Sequence, residues 1–120
     1  MQIEFCVSKL AHAVVTEAEL HYEGSITIDR ELLDAVGILP GQKVEVLNVN
    51  NGNRFSTYTI SGVPGSRSIC LNGPAARLGV VGDKIIVLSY AMMDYEEAKT
   101  YQTKVIHLDQ DNNIKSEVPF

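Results

Sequence analysis

Short apolar stretches alternate with polar residues along most of the chain, separated by turn residues at regular spacing, which predicts a mainly β protein. Ile3, Phe5 and Val7 alternate with polar neighbours, Ala13-Val14-Val15-Thr16 continues in strand composition, and Ser25-Ile26-Thr27-Ile28 alternates again. Asp29 as an N-cap, Glu31 in the first turn and Gly37 as a stop predict a short helix over Arg30–Val36. Pro40-Gly41 leads into a strand over Lys43–Val49, and Asn51-Gly52 predicts a two-residue hairpin that returns as a strand over Arg54–Ile60. After Pro64-Gly65 comes a short strand, Ser68–Leu71. Asn72-Gly73-Pro74-Ala75-Ala76-Arg77 then reads as a tight turn entering a helical turn, with Pro74 at its first position. Ile85–Ala91 is nearly all apolar and predicts a strand buried on both faces. Asp94 and Glu97 predict a capping box and a helix to about Thr100. Strands over Thr103–Leu108 and Ile114–Val118 close the chain around a polar turn, Asp109–Asn113.

One segment recurs at a spacing of 41 residues. Gly41-Gln42-Lys43-Val44-Glu45-Val46-Leu47 lines up with Gly82-Asp83-Lys84-Ile85-Ile86-Val87-Leu88, identical at four of seven positions. Each copy follows a short helical stretch, around Ala35 and Ala76. Two copies of strand–helix–strand suggest a barrel with pseudo-two-fold symmetry, because closure removes exposed sheet edges.

A length of 120 residues and a hydrophobic content of 45% predict a single domain over 1–120 with its own core. The net charge of −5 argues against nucleic acid, and an anionic substrate would need a local basic site. Cys6 and Cys70 form no zinc motif, sit in apolar stretches and read as buried free thiols. Met1-Gln2-Ile3-Glu4-Phe5 has no basic segment leading into an apolar run, so no signal peptide is expected, and the longest apolar run, Ile85 to Met93, spans about nine residues against the roughly twenty a membrane helix needs. The expectation is a soluble, cytoplasmic protein that engages neither membrane nor nucleic acid.

No metal constellation is present in the sequence, since His12, His21 and His107 are scattered and read as surface or half-buried side chains. Four stretches depart from ordinary filler. Gly24-Ser25 stands between two strands. Most such pairs are turns, but a glycine leaves its own carbonyl open to attack and Ser25 places a hydroxyl beside it. In Arg54-Phe55-Ser56-Thr57-Tyr58, strand parity puts Arg54, Ser56 and Tyr58 on one face and Phe55 and Thr57 on the other. A guanidinium and a phenol on one face suit carboxylate binding and proton delivery, although an exposed hairpin reads the same way. Asn72-Gly73-Pro74-Ala75-Ala76 offers backbone N–H groups at a helical start, and Lys9 is a lone cation in an apolar-alternating strand.

Together these stretches resemble the pyruvoyl-dependent aspartate 1-decarboxylases. The matching residues are Lys9-Leu10, Leu20-His21-Tyr22-Glu23-Gly24-Ser25-Ile26-Thr27-Ile28-Asp29, Asn50-Asn51-Gly52-Asn53-Arg54-Phe55-Ser56-Thr57-Tyr58 and Asn72-Gly73, with conforming spacings from about Lys9 to Glu97. The resemblance implies a double-psi β-barrel with short helices, assembled as a homotetramer with sites between subunits. It implies an inactive precursor that cuts itself at Gly24–Ser25 into chains 1–24 and 25–120, assisted by Thr57, leaving a covalent pyruvoyl group in place of Ser25. Maturation would be autonomous or aided by a separate factor. The pyruvoyl would bind L-aspartate as a Schiff base and accept the electron pair as CO2 leaves, giving β-alanine for pantothenate synthesis.

By the same resemblance Tyr58 would protonate the carbanion, and Arg54 and Lys9 would bind substrate carboxylate. Tyr22, Thr57, Asn72, Gly73, Pro74 and Ala75 would complete the substrate pocket. Two departures stand out. Ala11-His12 follows Lys9-Leu10 where members often carry His-Arg, and Pro74 replaces the first alanine after Asn-Gly. The competing reading is a non-catalytic oligomeric barrel of the DNA-binding regulator type, which the acidic balance disfavours; an uncleaved scaffold is a third.

Overall fold

In a computed structural model the chain is described over residues 1–119, with side chains over residues 1–115. Its elements run β1 (Gln2–Val14), β2 (Glu17–Glu19), β3 (Ser25–Asp29), α1 (Arg30–Val36), β4 (Lys43–Asn48), β5 (Arg54–Gly62) and β6 (Ile69–Asn72), then a 3-10 helix (Gly73–Arg77), β7 (Lys84–Asp94), α2 (Tyr95–Ala98), β8 (Lys104–Leu108) and β9 (Ile114–Pro119). The strands lie in the order β2-β6-β3-β5-β4-β7-β1-β8-β9, with β1·β8, β2·β6 and β3·β5 parallel. β2 continues β1 through Val15 and Thr16, whose N–H groups donate to Asp83 O at 2.9 Å and Ile69 O at 2.8 Å. One run of chain therefore pairs with both sides of the sheet and closes it into a barrel. This mainly β barrel with short helices is the architecture the resemblance implies.

The 41-residue repeat is a structural repeat. Gly41 and Gly82 both adopt positive φ, +86° and +96°. Gln42 N–H donates to Leu39 O at 3.1 Å, and Asp83 N–H donates to Val80 O at 3.0 Å. Leu39 N–H donates to the Gln42 side chain at 2.9 Å, and Val80 N–H to the Asp83 carboxylate at 3.0 Å. The following strands, β4 and β7, pair antiparallel with each other. Behind each turn stands a strand and a helical segment: β3 with α1, and β6 with the 3-10 helix. Those two strands also pair antiparallel, and this places Ser25 opposite Asn72.

Helix α1 forms where its caps require. The Asp29 carboxylate accepts from Glu31 N–H at 2.8 Å, and Gly37 N–H closes the C-terminus on Leu33 O. Its buried face, Leu32, Leu33 and Val36, joins Ile26, Ile28, Ile69, Leu71, Ile85 and Ile106 in a core inaccessible to solvent. Asp29 also accepts from Gly65 N–H at 3.0 Å, Arg67 N–H at 2.7 Å and the Arg67 guanidinium at 3.1 Å. One buried carboxylate thus ties the 65–67 turn to the end of β3.

Four expectations need correction. Asn51-Gly52 is not a two-residue hairpin: the Asn48 side chain accepts from Asn50 N–H at 2.9 Å, and the loop widens to residues 49–53. Asp94 caps α2 without a side-chain hydrogen bond, so no capping box forms, and α2 ends at Ala98. Strand β7 is not buried throughout: its Tyr90–Met92 segment is exposed between the buried Ser89 and Met93. Cys70 is buried but Cys6 is only half-buried, and both are free thiols.

Candidate active site

Ser25 opens β3 with its side chain fully buried. Burying a hydroxyl is costly unless it is hydrogen-bonded, and here the partner comes from across the β3·β6 pair. Asn72 Nδ2 lies 2.9 Å from Ser25 Oγ and 2.9 Å from Thr27 Oγ1. The Ser25 hydroxyl in turn donates to Glu23 O at 3.5 Å, a long contact. Asn72 Oδ1 accepts from the Cys70 thiol at 3.2 Å. A buried polar network surrounds the one serine that follows a glycine at a strand entrance.

Gly24, Phe55, Ser56, Thr57, Pro74, Ala75 and Leu78 line a cavity of about 200 Å³. Of the predicted residues, the structure thus brings Gly24, Thr57, Pro74 and Ala75 together, with Ser25 and Asn72 adjoining. Pro74 stands at the start of the 3-10 helix, where it needs no N–H partner. It also closes over Gly24: a Cβ on Gly24 would lie 3.4 Å from Pro74 Cδ. Gly73 carries the tighter approach. At φ +63°, a Cβ there would lie 2.5 Å from Tyr22 O and 2.9 Å from Gly24 N, so the 22–24 segment packs directly on a position without a side chain.

The remaining predicted residues lie elsewhere on this chain. Arg54, Ser56 and Tyr58 share the exposed face of β5, as parity predicts, while Thr57 is half-buried. Ser56 Oγ donates to Glu45 on the neighbouring strand, and Tyr58 stands opposite Lys43 in the β4·β5 register. Lys9 lies on β1, half-buried, opposite Leu88 and Val105. The Tyr22 side chain is exposed. Neither Lys9, Arg54 nor Tyr58 lines the cavity beside Gly24.

The sequence reading passed over Cys70 and Thr27, both hydrogen-bonded to Asn72, and Phe55 and Leu78, which line the cavity. The period of two carried a usable signal, because residues 70 and 72 must share a face of β6. Burial pushes the Cys70 thiol pKa up, and the nearby carboxylates of Glu17 and Glu19 push it further. The thiol is therefore held protonated, as a donor.

The histidines stand apart from this cavity. His12 and His21 are exposed, and the half-buried His107 meets His12 edge-on with ring centroids 6.0 Å apart. Among the described residues no cluster of His, Cys, Asp or Glu is arranged to hold a metal ion, and no helix is long and apolar enough to cross a membrane.

Comparison with known proteins gives the same direction. The sequence is 54% identical over 114 residues to the aspartate 1-decarboxylase of Salinibacter ruber, covering 95% of this chain and 78% of that protein. It is 57% identical over 112 residues to that of Thermoanaerobacter pseudethanolicus, covering 93% and 96%. With that of Caldicellulosiruptor saccharolyticus it shares 54% over 114 residues, covering 95% and 89%. Among solved structures, the rationally designed mkDPBB_sym2 protein aligns with 72% of this chain and 96% of its own at a TM-score of 0.49 and 17% identity. The sequence model of the family described as aspartate decarboxylase matches residues 1–115, and this chain belongs to that family.

Proposed function

We propose that the chain is an aspartate 1-decarboxylase that makes its own catalytic group from Ser25. The carrying observation is the buried Ser25 hydroxyl, held by Asn72 next to the cavity that Gly24 and Thr57 line. A buried, hydrogen-bonded hydroxyl that directly follows a glycine in the chain suits an internal nucleophile.

In the proposed maturation, Ser25 Oγ attacks the Gly24 carbonyl carbon. A C–O bond forms, the Gly24–Ser25 C–N bond breaks, and the freed nitrogen takes the hydroxyl proton. Loss of the Ser25 α-proton then cleaves the Cβ–Oγ bond and releases Gly24 as a carboxylate, leaving a dehydroalanine at position 25. One water hydrolyses it, ammonia departs, and chains 1–24 and 25–120 remain, the second beginning with a pyruvoyl group. The Asn72 N–H stabilises charge on Oγ as its proton leaves. Thr57, on the cavity wall with Gly24, is suited to hydrogen bond to the carbonyl as it becomes tetrahedral.

The residues fit a pyruvoyl group at position 25. Its small methyl ketone replaces a side chain already fully buried, and the neighbouring cavity offers about 200 Å³. The group supplies an electron sink for the pair left when the α-carboxylate departs as CO2. Arg54 and Lys9 supply positive charge for a dicarboxylate substrate in an acidic protein, and the Tyr58 hydroxyl delivers the proton to the vacated α-carbon, giving β-alanine. Tyr22, Asn72, Gly73 and Ala75 complete the pocket.

Thr57 lines the cavity beside Gly24, whereas Arg54 and Tyr58 are exposed and do not line it. This division supports a site shared between copies in a homotetramer. A Ser25→Ala chain should fold, stay uncleaved and lack activity; an uncleaved but active Ser25→Ala protein refutes the mechanism.

A further inference from the structure

The Asn72 side chain is engaged at both ends. Its nitrogen lies 2.9 Å from each of two hydroxyl oxygens, Ser25 Oγ and Thr27 Oγ1, and its oxygen lies 3.2 Å from the Cys70 sulfur. A carboxamide has nearly the same shape in its two orientations, and rotation about the last bond exchanges a donor for an acceptor. Hydroxyls accept either end, because each can donate or accept. A thiol does not: S–H donates to an oxygen but accepts only weakly from an N–H. The orientation of Asn72 is therefore decided at its Cys70 end.

That choice matters for Ser25. With the nitrogen facing it, Asn72 places a donor on the oxygen that gains negative charge as its proton is lost. With the orientation reversed, a carbonyl oxygen would face the same atom, hold its proton and oppose the developing charge. The setting keeps Cys70 a donor. It is 6% exposed, and burial together with Glu17 and Glu19 holds its thiol protonated.

We infer that Cys70 is a positioning residue for self-processing: its S–H fixes the Asn72 carboxamide so that both N–H groups point at Ser25 and Thr27. The inference rests on the reading of Ser25 as the processing nucleophile. It assigns the cysteine a role through its proton rather than through redox chemistry or metal binding, and it predicts that any donor of similar size can substitute.

The test follows conversion of freshly made full-length chain by intact mass at fixed temperature, scoring the long chain that carries a pyruvoyl terminus. Cys70→Val removes the donor at similar volume and should slow conversion about three- to tenfold. Cys70→Ser restores a donor and should return the rate to within about twofold of the parent. Cys70→Ala repeats the donor deletion without the added methyl group, in case valine overpacks the site. Conversion of both donor-less variants at the parental rate overturns the inference. So does equal slowing by Cys70→Val, Cys70→Ala and Cys70→Ser, which would assign the effect to packing. If the parent chain itself never converts while Cys70 variants fold normally, the Ser25 reading fails and this inference with it.

Discussion

Ser25 and Asn72 face each other across the antiparallel β3·β6 pair, with Asn72 Nδ2 2.9 Å from Ser25 Oγ. These two strands precede the two matching turns of the internal repeat, so the proposed processing site lies where the two copies meet. Each copy contributes what the other lacks. The first brings a strand that begins at a Gly-Ser bond, and the second a strand ending in an amide followed by Gly73. The pairing also suits the proposed mature state, because residue 25 would become a chain terminus still paired with Asn72 of β6, next to Ile26, which β5 and β6 hold from both sides.

Gly73 tests how closely the 22–24 segment must approach the 3-10 helix. A Cβ at this position would lie 2.5 Å from Tyr22 O, and the obstructing atoms are backbone, which cannot swing aside. Gly73→Ala should destabilise the protein by at least about 1–2 kcal/mol from its positive φ alone, and should slow cleavage as the scissile segment is displaced. Thermal melting and intact mass read both effects. A variant that melts and cleaves like the parent would show that the approach is not required.

Tyr58 separates maturation from turnover. It is exposed on β5 and, unlike Thr57, does not line the cavity beside Gly24. Tyr58→Phe should therefore cleave normally yet decarboxylate about 10²–10⁴-fold more slowly, the usual contribution of a positioned proton donor. Parental turnover in this variant would remove Tyr58 from the mechanism, and failure to cleave would move it into maturation.

Asp29 sets an acid limit on stability. Burial alone would raise its pKa. The N–H groups of Arg67, Glu31 and Gly65 and the Arg67 guanidinium outweigh that and hold the carboxyl below its ordinary value. A lowered folded-state pKa gives stabilisation that is present above the unfolded value and lost as pH falls through the folded one. Asp29→Asn should cost about 1–3 kcal/mol at neutral pH, with the gap to the parent narrowing in the acid range. Urea midpoints across pH measure this, and a gap that stays constant contradicts the assignment.

Local chemistry made much of the fold legible. Asp29 and Gly37 delimit α1 because cap preferences act within a few residues, and the Gly-x-Lys repeat marks two matching turns. What escaped depended on contacts distant in sequence. Asn48 reshapes the 49–53 loop through its own side chain, and Asp29 gathers Gly65 and Arg67 from more than thirty residues away. The site divides in the same way. Gly24, Ser25, Thr57, Asn72 and Pro74 were readable as motifs, and the structure brings them together. The period of two puts Cys70 and Asn72 on one face of β6, but Thr27 joins them only through the β3·β6 pairing, and nothing in a buried Ile-Cys-Leu-Asn strand distinguishes a working thiol from a space-filling one.

If the Gly24–Ser25 bond breaks and Ser25 loses its nitrogen, denaturing intact-mass spectrometry of the purified full-length protein will show it. Two chains are expected, 1–24 and 25–120, with the longer lighter by one ammonia than simple hydrolysis would leave it. A single 13.2 kDa chain that persists through prolonged warm incubation, or a long chain that begins with an intact serine, would contradict it.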